Sequence, residues 1–267
     1  MKTYFVDSFT NEKFKGNPAA VCLVETELDS QTMQNIATEI GFSETAFIKQ
    51  ISDNIYSIRF FSPKTEIPLC GHATLASSKI VFDTTSFQNI KFINYENVEL
   101  LIEKVGNKIK MQFPVYDTEE TEVPQKMMEA LGISEIVNKR YSPKNKIILI
   151  EIKSAAELAN LKPDFTALLN SHTGISGVLV TAVSDNETFD FHYRYFWPWA
   201  GTNEDPVTGG IQTFLTKYWA EKLNKTKFNA YQSSLRTGTM STELVDDKVF
   251  ILGEAVTVLK GEFINVL

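Results

Sequence analysis

Two short glycine-containing segments, one in each half of the chain, precede helix-forming runs among many strand-like stretches. The first is Cys70-Gly71-His72-Ala73 and the second is Thr208-Gly209-Gly210-Ile211. A helix that starts at such a turn presents free backbone N–H groups and the positive end of its dipole, and glycine lets a ligand approach the backbone closely. Two such ends facing each other would bind a carboxylate or a phosphate. The same sequences are equally compatible with tight turns that bind no ligand.

The elements around these turns predict two halves with a similar layout. Apolar residues recur at helical spacing between Asp29 and Gly41, which predicts a helix with Asp29 or Ser30 as N-cap and Gly41 as its end. Further helices are predicted at Ala73–Phe82 and from Pro206 onward. Most other periodic segments are short, and they alternate or form apolar runs typical of strands.

An acidic stretch near the middle of the chain predicts a linker between the halves. It spans Asp117–Glu122, and such a run is typical of a solvated connection. We therefore expect an N-terminal half at residues 1–115 and a C-terminal half at residues 122–267, whose last strand could cross back to the first domain. No residue-level repeat relates the halves, so their similarity is one of layout.

The charge pattern excludes several classes of protein. The chain has 26 Lys and Arg against 33 Asp and Glu, a net charge of −7, with the basic residues scattered. Nucleic-acid binders show a clustered basic patch, so no nucleic-acid partner is expected. The amino terminus reaches Asp7 before an apolar run can form, and no run approaches the roughly 18 apolar residues of a membrane span. We therefore expect a cytoplasmic protein with no membrane partner.

The scarcity of cysteine and histidine narrows the chemistry further. The two Cys and three His show no CxxC, HxH or HExxH spacing, so we expect neither a disulfide framework nor a metal site. No GxG and no GxxxxGK occurs, which argues against NAD(P) or a P-loop nucleotide. We therefore expect no cofactor and no metal, with the chemistry carried mainly by oxygen-bearing side chains.

Two acidic side chains and one histidine are candidates for that chemistry. Glu44 lies in the apolar and aromatic segment Phe42–Phe47, where desolvation would raise its pKa and make it usable as an acid/base near neutral pH. A Glu beside a strand is, however, more often a surface residue. Asp205 precedes the second glycine turn, where an Asp is also typical of a helix start. His72 lies in the first turn, where it could hydrogen-bond a ligand.

The two cysteines raise the hypothesis of a two-thiol racemase, and their positions then weaken it. Cys22 lies in the apolar run Ala19–Val24, as a small core residue does. Cys70 lies beside the first turn, where a helix start can lower the pKa of a thiol. No thiol occupies a comparable turn in the second half, so the pair is incomplete.

Six segments of the chain form an ordered set: Asp7–Thr10, Gly16–Val21, Phe42–Phe47, Arg59–Pro63, Glu66–Thr74 and Glu204–Gly209. Together they resemble the phenazine biosynthesis PhzF-like family of isomerases. The resemblance implies an α+β fold of the diaminopimelate epimerase-like type, with two similar domains. In this fold each domain is a curved, mostly antiparallel sheet wrapped around a central helix, and the active site lies in the cleft between the domains. The family also implies a homodimer with a small-molecule substrate.

The resemblance further implies cofactor-independent isomerisation by proton transfer on a small carboxylate-bearing substrate. Glu44 matches the acid/base of the family, which removes and returns a substrate proton. The residues assigned by the same resemblance to substrate binding are Ser43, Gly71, His72, Asp205, Gly209 and Gly210.

One position departs from the family pattern. Gly210 stands where the family commonly has Ser, so one hydroxyl donor to a substrate carboxylate or other polar group is missing. The departure favours a first alternative, a non-catalytic small-molecule-binding homologue. A second alternative is a thiol-dependent amino-acid racemase or epimerase. The resemblance therefore implies a reaction type rather than a particular substrate.

Overall fold

The computed structural model of the protein describes residues 1–264, which divide into two units. Unit 1 combines Met1–Gln112 with the segment that begins at Phe250, and unit 2 is the continuous stretch Phe113–Val249. Among the described helices, none is long and apolar enough to cross a membrane.

The elements follow one another along the chain in three groups. The first is β1 (Lys2–Ser8), β2 (Asn17–Leu23), α1 (Ser30–Ile40), β3 (Glu44–Ser52), β4 (Ile55–Phe61), β5 (Glu66–Ile67), α2 (Gly71–Thr84), β6 (Asn89–Ile93), β7 (Glu99–Val105) and β8 (Lys108–Pro114). The second is α3 (Gln125–Leu131), β9 (Asn138–Ser142), β10 (Ile147–Glu151), α4 (Ala155–Asn160), α5 (Phe165–Ser171), β11 (Gly177–Val183), β12 (Phe191–Trp197), β13 (Thr202–Glu204), α6 (Gln212–Leu223), β14 (Lys227–Gln232) and β15 (Gly238–Val245). The last is β16 (Lys248–Gly253) and β17 (Ala255–Glu262).

The strands of unit 1 pair in alternating directions. β1 is antiparallel to β2, β2 is parallel to β3, and β3 is antiparallel to β4. β4 is parallel to β6, and β6 is antiparallel to β7. On its other side β1 is antiparallel to β17, so the last described strand lies beside the first.

Unit 2 repeats this succession of pairings. β9 is antiparallel to β10, β10 is parallel to β11, and β11 is antiparallel to β12. β12 is parallel to β14, and β14 is antiparallel to β15. Each parallel pair requires a crossover connection. In unit 1, α1 connects β2 to β3 and α2 lies between β4 and β6; in unit 2, α4 and α5 connect β10 to β11 and α6 lies between β12 and β14.

The central helix of unit 1, α2, is buried on nearly all sides, since ten of its fourteen residues are buried. Its polar residues are compatible with that burial because they bond within the helix. The hydroxyls of Thr74, Ser77 and Ser78 each donate to a carbonyl oxygen four residues earlier, at 2.7 Å. These three hydroxyls therefore need no polar partner from the strands around the helix, and the small side chains allow those strands to approach closely.

The structure confirms some predicted element boundaries and corrects others. The helix predicted at Asp29–Gly41 is α1: the Asp29 side chain accepts a bond from the backbone N–H of Thr32, and Gly41 ends the helix in the left-handed conformation at φ 72°. The prediction of a helix opening at Pro206 is wrong, since α6 begins at Gln212 and residues 206–211 form a turn. The hydrogen bonds that hold this turn come from residues distant in sequence.

Candidate active site

Glu44 is the first residue of β3, where it pairs with Ala19 of the parallel strand β2. The residues that follow it, Ala46 to Ile48, are buried core positions. The carboxylate of Glu44 is carried into this apolar region, and the residue is only 7% exposed. Glu44 is therefore buried, although a Glu beside a strand usually lies at the surface.

His72 and Cys70 lie beside Glu44, at the start of α2. Cys70 is the N-cap, Gly71 is the first helical residue, and the histidine follows in the first turn. Nε2 of His72 lies 3.0 Å from Oε2 of Glu44, close enough for an ion pair. Sγ of Cys70 lies 3.4 Å from Nδ1 of the same ring. A carboxylate, an imidazole and a thiol therefore meet in one buried cluster.

Two polar residues from the preceding strands fix the position of His72. The hydroxyl of Ser8 donates to its backbone carbonyl at 2.7 Å, and Nδ2 of Asn17 lies 3.2 Å from Nδ1 of its ring. Asn17 follows Gly16, where a Cβ would come within 2.1 Å of the Ser8 carbonyl oxygen, so only glycine fits that bend. Sequence reasoning assigned no role to Ser8 or Asn17 individually. The available signal was their position as polar residues at the ends of otherwise apolar strands.

The cluster sets the charges of its members. Burial raises the pKa of Glu44, but attraction to His72 outweighs it and leaves that pKa below its ordinary value. For His72, burial lowers the pKa, while the anionic forms of Cys70 and Glu44 raise it well above its ordinary value. Burial raises the pKa of the Cys70 thiol above its ordinary value, and the neighbouring His72 opposes that rise. The prediction of a raised Glu44 pKa is therefore wrong, because no motif near Glu44 indicated that His72 lies 3.0 Å from its carboxylate.

Several polar atoms at this point are buried without a partner. Oγ of Ser43, Oε2 of Glu44 and Oγ1 of Thr45 make no hydrogen bond within the described residues. Buried polar groups are normally paired, and a catalytic role is one explanation for those that are not. The predicted site residues Ser43 and Gly71 are thus brought into the neighbourhood of Glu44 and His72.

The predicted residues of unit 2 lie in the turn before α6, which a buried glutamine holds in place. The Gln232 side chain donates to the Asp205 carbonyl at 2.6 Å and accepts from the Thr208 N–H at 2.7 Å. The Asp205 carboxylate accepts a bond from the Thr208 hydroxyl. Asp205 is therefore not the helix cap that its position also suggested, since α6 begins after Ile211 without a side-chain cap.

The two glycines of this turn lie at its end, next to α6. The carbonyl of Gly209 accepts from the Gln212 N–H at 3.0 Å, so the turn runs directly into the helix. A Cβ on Gly210 would meet no atom within 4 Å. The absence of a serine hydroxyl at Gly210 is therefore not imposed by lack of space. Gln232 was missed by sequence reasoning, because nothing near it in sequence indicates its partners.

The other candidates do not join either group. Cys22 is fully buried in β2, where its thiol lies 3.5 Å from the Thr3 hydroxyl. Burial raises the pKa of Cys22 to about 12, which makes it inert as a base. His192 lies among aromatic rings on β12, and Nδ1 of His172 lies 2.6 Å from the backbone carbonyl oxygen of Thr173.

The mixed sheets with their central helices define an α+β fold of the diaminopimelate epimerase-like type. The solved structure of a "probable proline racemase" of Agrobacterium radiobacter shares this fold, with a TM-score of 0.65 at 9% identity, covering 99% of this chain and 93% of that one.

Within this fold the chain belongs to the phenazine biosynthesis-like protein family (PhzC-PhzF), whose model matches residues 6–261. An "uncharacterized isomerase" of Halalkalibacterium halodurans is 43% identical over 98% of this chain and 97% of its own length. The crystal structure of a phenazine biosynthesis PhzF family protein of Enterococcus faecalis has a TM-score of 0.91 at 36% identity, covering 97% of both chains. The resemblance noted from the sequence motifs is thus confirmed.

Proposed function

We propose that this protein is a cofactor-independent isomerase that moves a proton on a small carboxylate-bearing substrate, with Glu44 as the acid/base. The observation that carries the proposal is the buried Glu44 carboxylate, whose Oε2 lies 3.0 Å from Nε2 of His72. A carboxylate held in an apolar region beside a single cation can take a proton from a bound molecule. The isomerase names of relatives support the same class of reaction.

In the proposed reaction Glu44 starts as a carboxylate, in agreement with its lowered pKa. It takes a proton from a carbon of the substrate, and the electron pair of that C–H bond moves into the conjugated or carbonyl system beside it. Glu44, now a carboxylic acid, returns the proton to another carbon of the same molecule. The product has the same atoms and electrons as the substrate, so the step needs no oxidant and no co-reactant.

Binding of the substrate would itself strengthen Glu44 as a base. In the resting protein the pKa of Glu44 is set by burial, which raises it, and by His72, which lowers it more. A substrate carboxylate that pairs with His72 competes for this positive charge. The effect of burial then prevails, so the pKa of Glu44 rises toward the range useful for proton transfer near neutral pH.

The remaining predicted residues are proposed to bind the substrate. In unit 1 these are Ser43, whose buried hydroxyl makes no hydrogen bond among the described residues, and the first-turn N–H groups of α2 at Gly71. In unit 2 they are Asp205, Gly209 and Gly210. The homodimer and the cytoplasmic location implied earlier stay predictions.

The test is exchange of substrate hydrogen in deuterated buffer, followed by NMR or mass spectrometry with a panel of small conjugated carboxylates. Native protein is expected to exchange one carbon-bound hydrogen, and Glu44→Gln should reduce the rate at least about 1,000-fold because the proton acceptor is lost. Glu151→Gln is the matched control, since Glu151 is also a buried carboxylate paired with a cation, Lys222, but in unit 2. Equal exchange in native protein and Glu44→Gln would remove Glu44 from the role.

The glycine at position 210 favours a second function, the binding of a small molecule without catalysis. Tight binding of a carboxylate by native protein, with no exchange at any carbon, would support that function. The thiol-dependent racemase has less support, because Cys22 is fully buried in the core and cannot serve as a second base. Exchange that persists in Cys70→Ser would exclude it.

A further inference from the structure

The cluster at the start of α2 combines three different metal-ligating atoms. A carboxylate oxygen of Glu44, Sγ of Cys70 and a ring nitrogen of His72 all lie within 4.8 Å of one another. The side chains of Glu44 and His72 are each 9% exposed, and Cys70 is 8% exposed. All three are carried by the ends of regular elements, β3 and α2, so their backbone positions are fixed by secondary structure.

The distances between these atoms match the span of a small tetrahedral ion. Zn²⁺ binds N, O and S ligands at about 2.0–2.3 Å, so two ligand atoms in a tetrahedral site lie about 3.4 Å apart. Nε2 of His72 lies 3.0 Å from Oε2 of Glu44 and 4.0 Å from Sγ of Cys70, values on either side of that span. An ion can therefore be accommodated by side-chain rotation alone.

The charges and the ligand types agree with the same ion. One thiolate and one carboxylate neutralise a divalent cation, and a neutral imidazole completes three protein ligands. A mixed S, N, O set favours a borderline-soft ion such as Zn²⁺ over Mg²⁺ or Ca²⁺, which prefer oxygen alone. On binding, the Cys70 thiol proton and any proton on the ligating nitrogen of His72 pass to solvent.

Two further observations point to a ligand at this position. Oε2 of Glu44 is buried and accepts no hydrogen bond within the described residues, so a lone pair is available to a cation. The amide of Asn17 lies 3.2 Å from Nδ1 of His72, where an outer partner commonly orients a metal-bound histidine.

We propose that Glu44, Cys70 and His72 form a site for a borderline-soft divalent cation, with Zn²⁺ as the best match and a fourth position open to water or to an anion. The spacing of Cys and His along the chain did not predict this site, because its ligands come from two separate segments. Binding of the ion does not depend on the isomerase activity proposed above. Its consequence does: a Zn²⁺ ion held by Glu44 removes the base and inhibits proton transfer.

Cobalt substitution tests the proposal directly. Co²⁺ bound to a thiolate gives a charge-transfer absorption in the near ultraviolet, which carboxylate and imidazole ligands do not. Native protein titrated with Co²⁺ is expected to show this band at one equivalent, and added Zn²⁺ is expected to remove it. Cys70→Ser should abolish the band and weaken Zn²⁺ binding at least about 100-fold, since loss of even an outer partner costs roughly 10- to 100-fold.

Cys22→Ser is the matched control. Cys22 is the other buried thiol, and it does not belong to the cluster of Glu44, Cys70 and His72. It is expected to keep the band. No band in native protein, a band that survives in Cys70→Ser, or a band lost in Cys22→Ser would each overturn the site. If Cys70→Ser does not fold, Glu44→Gln serves instead: it should keep the thiolate band and bind Zn²⁺ more weakly, and unchanged Zn²⁺ affinity would contradict the proposal.

Hydrogen exchange separates this inference from the proposed function. A cobalt band in a protein that exchanges no substrate hydrogen would support the metal site and contradict the isomerase. Exchange in a protein that gives no band would do the reverse. If both hold, Zn²⁺ should inhibit exchange over the same concentration range in which it displaces Co²⁺.

Discussion

The opening residues of β3 and β11 are equivalent in the repeated strand order of the two units, yet they differ in chemistry. β3 opens on Glu44, whereas β11 opens on Gly177. A Cβ at Gly177 would lie 2.6 Å from Cε2 of Tyr195 and 2.8 Å from the Phe196 carbonyl oxygen. Unit 2 thus has no room for any side chain at the position where unit 1 carries a buried carboxylate.

The polar groups near the two central helices differ in a corresponding way. In unit 1, Oε2 of Glu44 and Oγ1 of Thr45 are buried without a hydrogen bond among the described residues. In unit 2, the turn before α6 is tied to Gln232 through the Asp205 carbonyl and the Thr208 N–H. A shared topology therefore fixes where strands and helices lie without fixing which of the equivalent positions carries a buried polar side chain.

The largest expected difference between the units is in the charge of their histidines. Burial lowers the pKa of His192, whereas the anionic neighbours of His72 overcome burial and raise its pKa. In Glu44→Gln the pKa of His72 should fall, because the carboxylate that helps to raise it has been removed. The pKa of His192 should not change. NMR titration of the ring protons measures both. An unchanged pKa of His72 would contradict the ion pair between His72 and Glu44.

The same pair should appear in the pH dependence of stability. Because folding lowers the pKa of Glu44, the ionised carboxylate stabilises the folded protein above pH 4.5, the ordinary pKa of Glu. This stabilisation is lost as the pH falls through the pKa of Glu44 in the folded protein. Because folding raises the pKa of His72, the protonated ring stabilises the folded protein below pH 6.5, the ordinary pKa of His. This stabilisation is lost as the pH rises through the pKa of His72 in the folded protein. The difference in unfolding free energy between native protein and Glu44→Gln should therefore be largest at pH 4.5–6.5.

Gly177→Ala tests the claim that unit 2 excludes a side chain at this position. We expect a loss of about 3 kcal/mol in the free energy of unfolding, since the new methyl group would overlap a tyrosine ring and a backbone oxygen. Gly210→Ala is the control in the same unit. Its Cβ would meet nothing within 4 Å, so the change should stay within about 1 kcal/mol. Urea unfolding measures both, and equal losses would contradict the steric argument.

A pair of threonine substitutions gives the smallest expected effect. The Thr45 hydroxyl is buried without a partner, so Thr45→Val should be neutral or stabilise the protein by up to about 1 kcal/mol. In unit 2 the Thr181 hydroxyl donates to the His192 carbonyl and accepts from Nε1–H of Trp219. Thr181→Val should therefore cost about 1–3 kcal/mol in the free energy of unfolding. A larger loss at Thr45 than at Thr181 would show that Thr45 has a partner.

The fold could be predicted where the signals are local. Asp29 and Gly41 determine the ends of α1 through bonds within one helical turn, so the sequence alone located them. The start of α6 could not be found in this way. The turn at residues 206–211 is held by Gln232, more than twenty residues away, which no local pattern reveals.

The candidate site shows the same limit. Glu44 and His72 were each identified from their motifs, but their contact depends on the parallel pairing of β2 with β3 and on the position of α2. Without that contact the burial of Glu44 indicated a raised pKa, and the structure gives a lowered one. The metal-ligating combination of Glu44 with Cys70 was hidden for the same reason, since metal motifs are recognised by short spacing.

The pairing of β1 with β17 has a consequence for synthesis of the protein. Lys2 of β1 lies opposite Glu262 of β17, so β1 leaves the ribosome long before β17 has been synthesised. Unit 2, a continuous stretch, can fold while unit 1 is still incomplete. During that interval β1 presents an open hydrogen-bonding edge, which is prone to pair with other chains. Among the described residues, the unit that carries Glu44 is therefore the later of the two units to be completed.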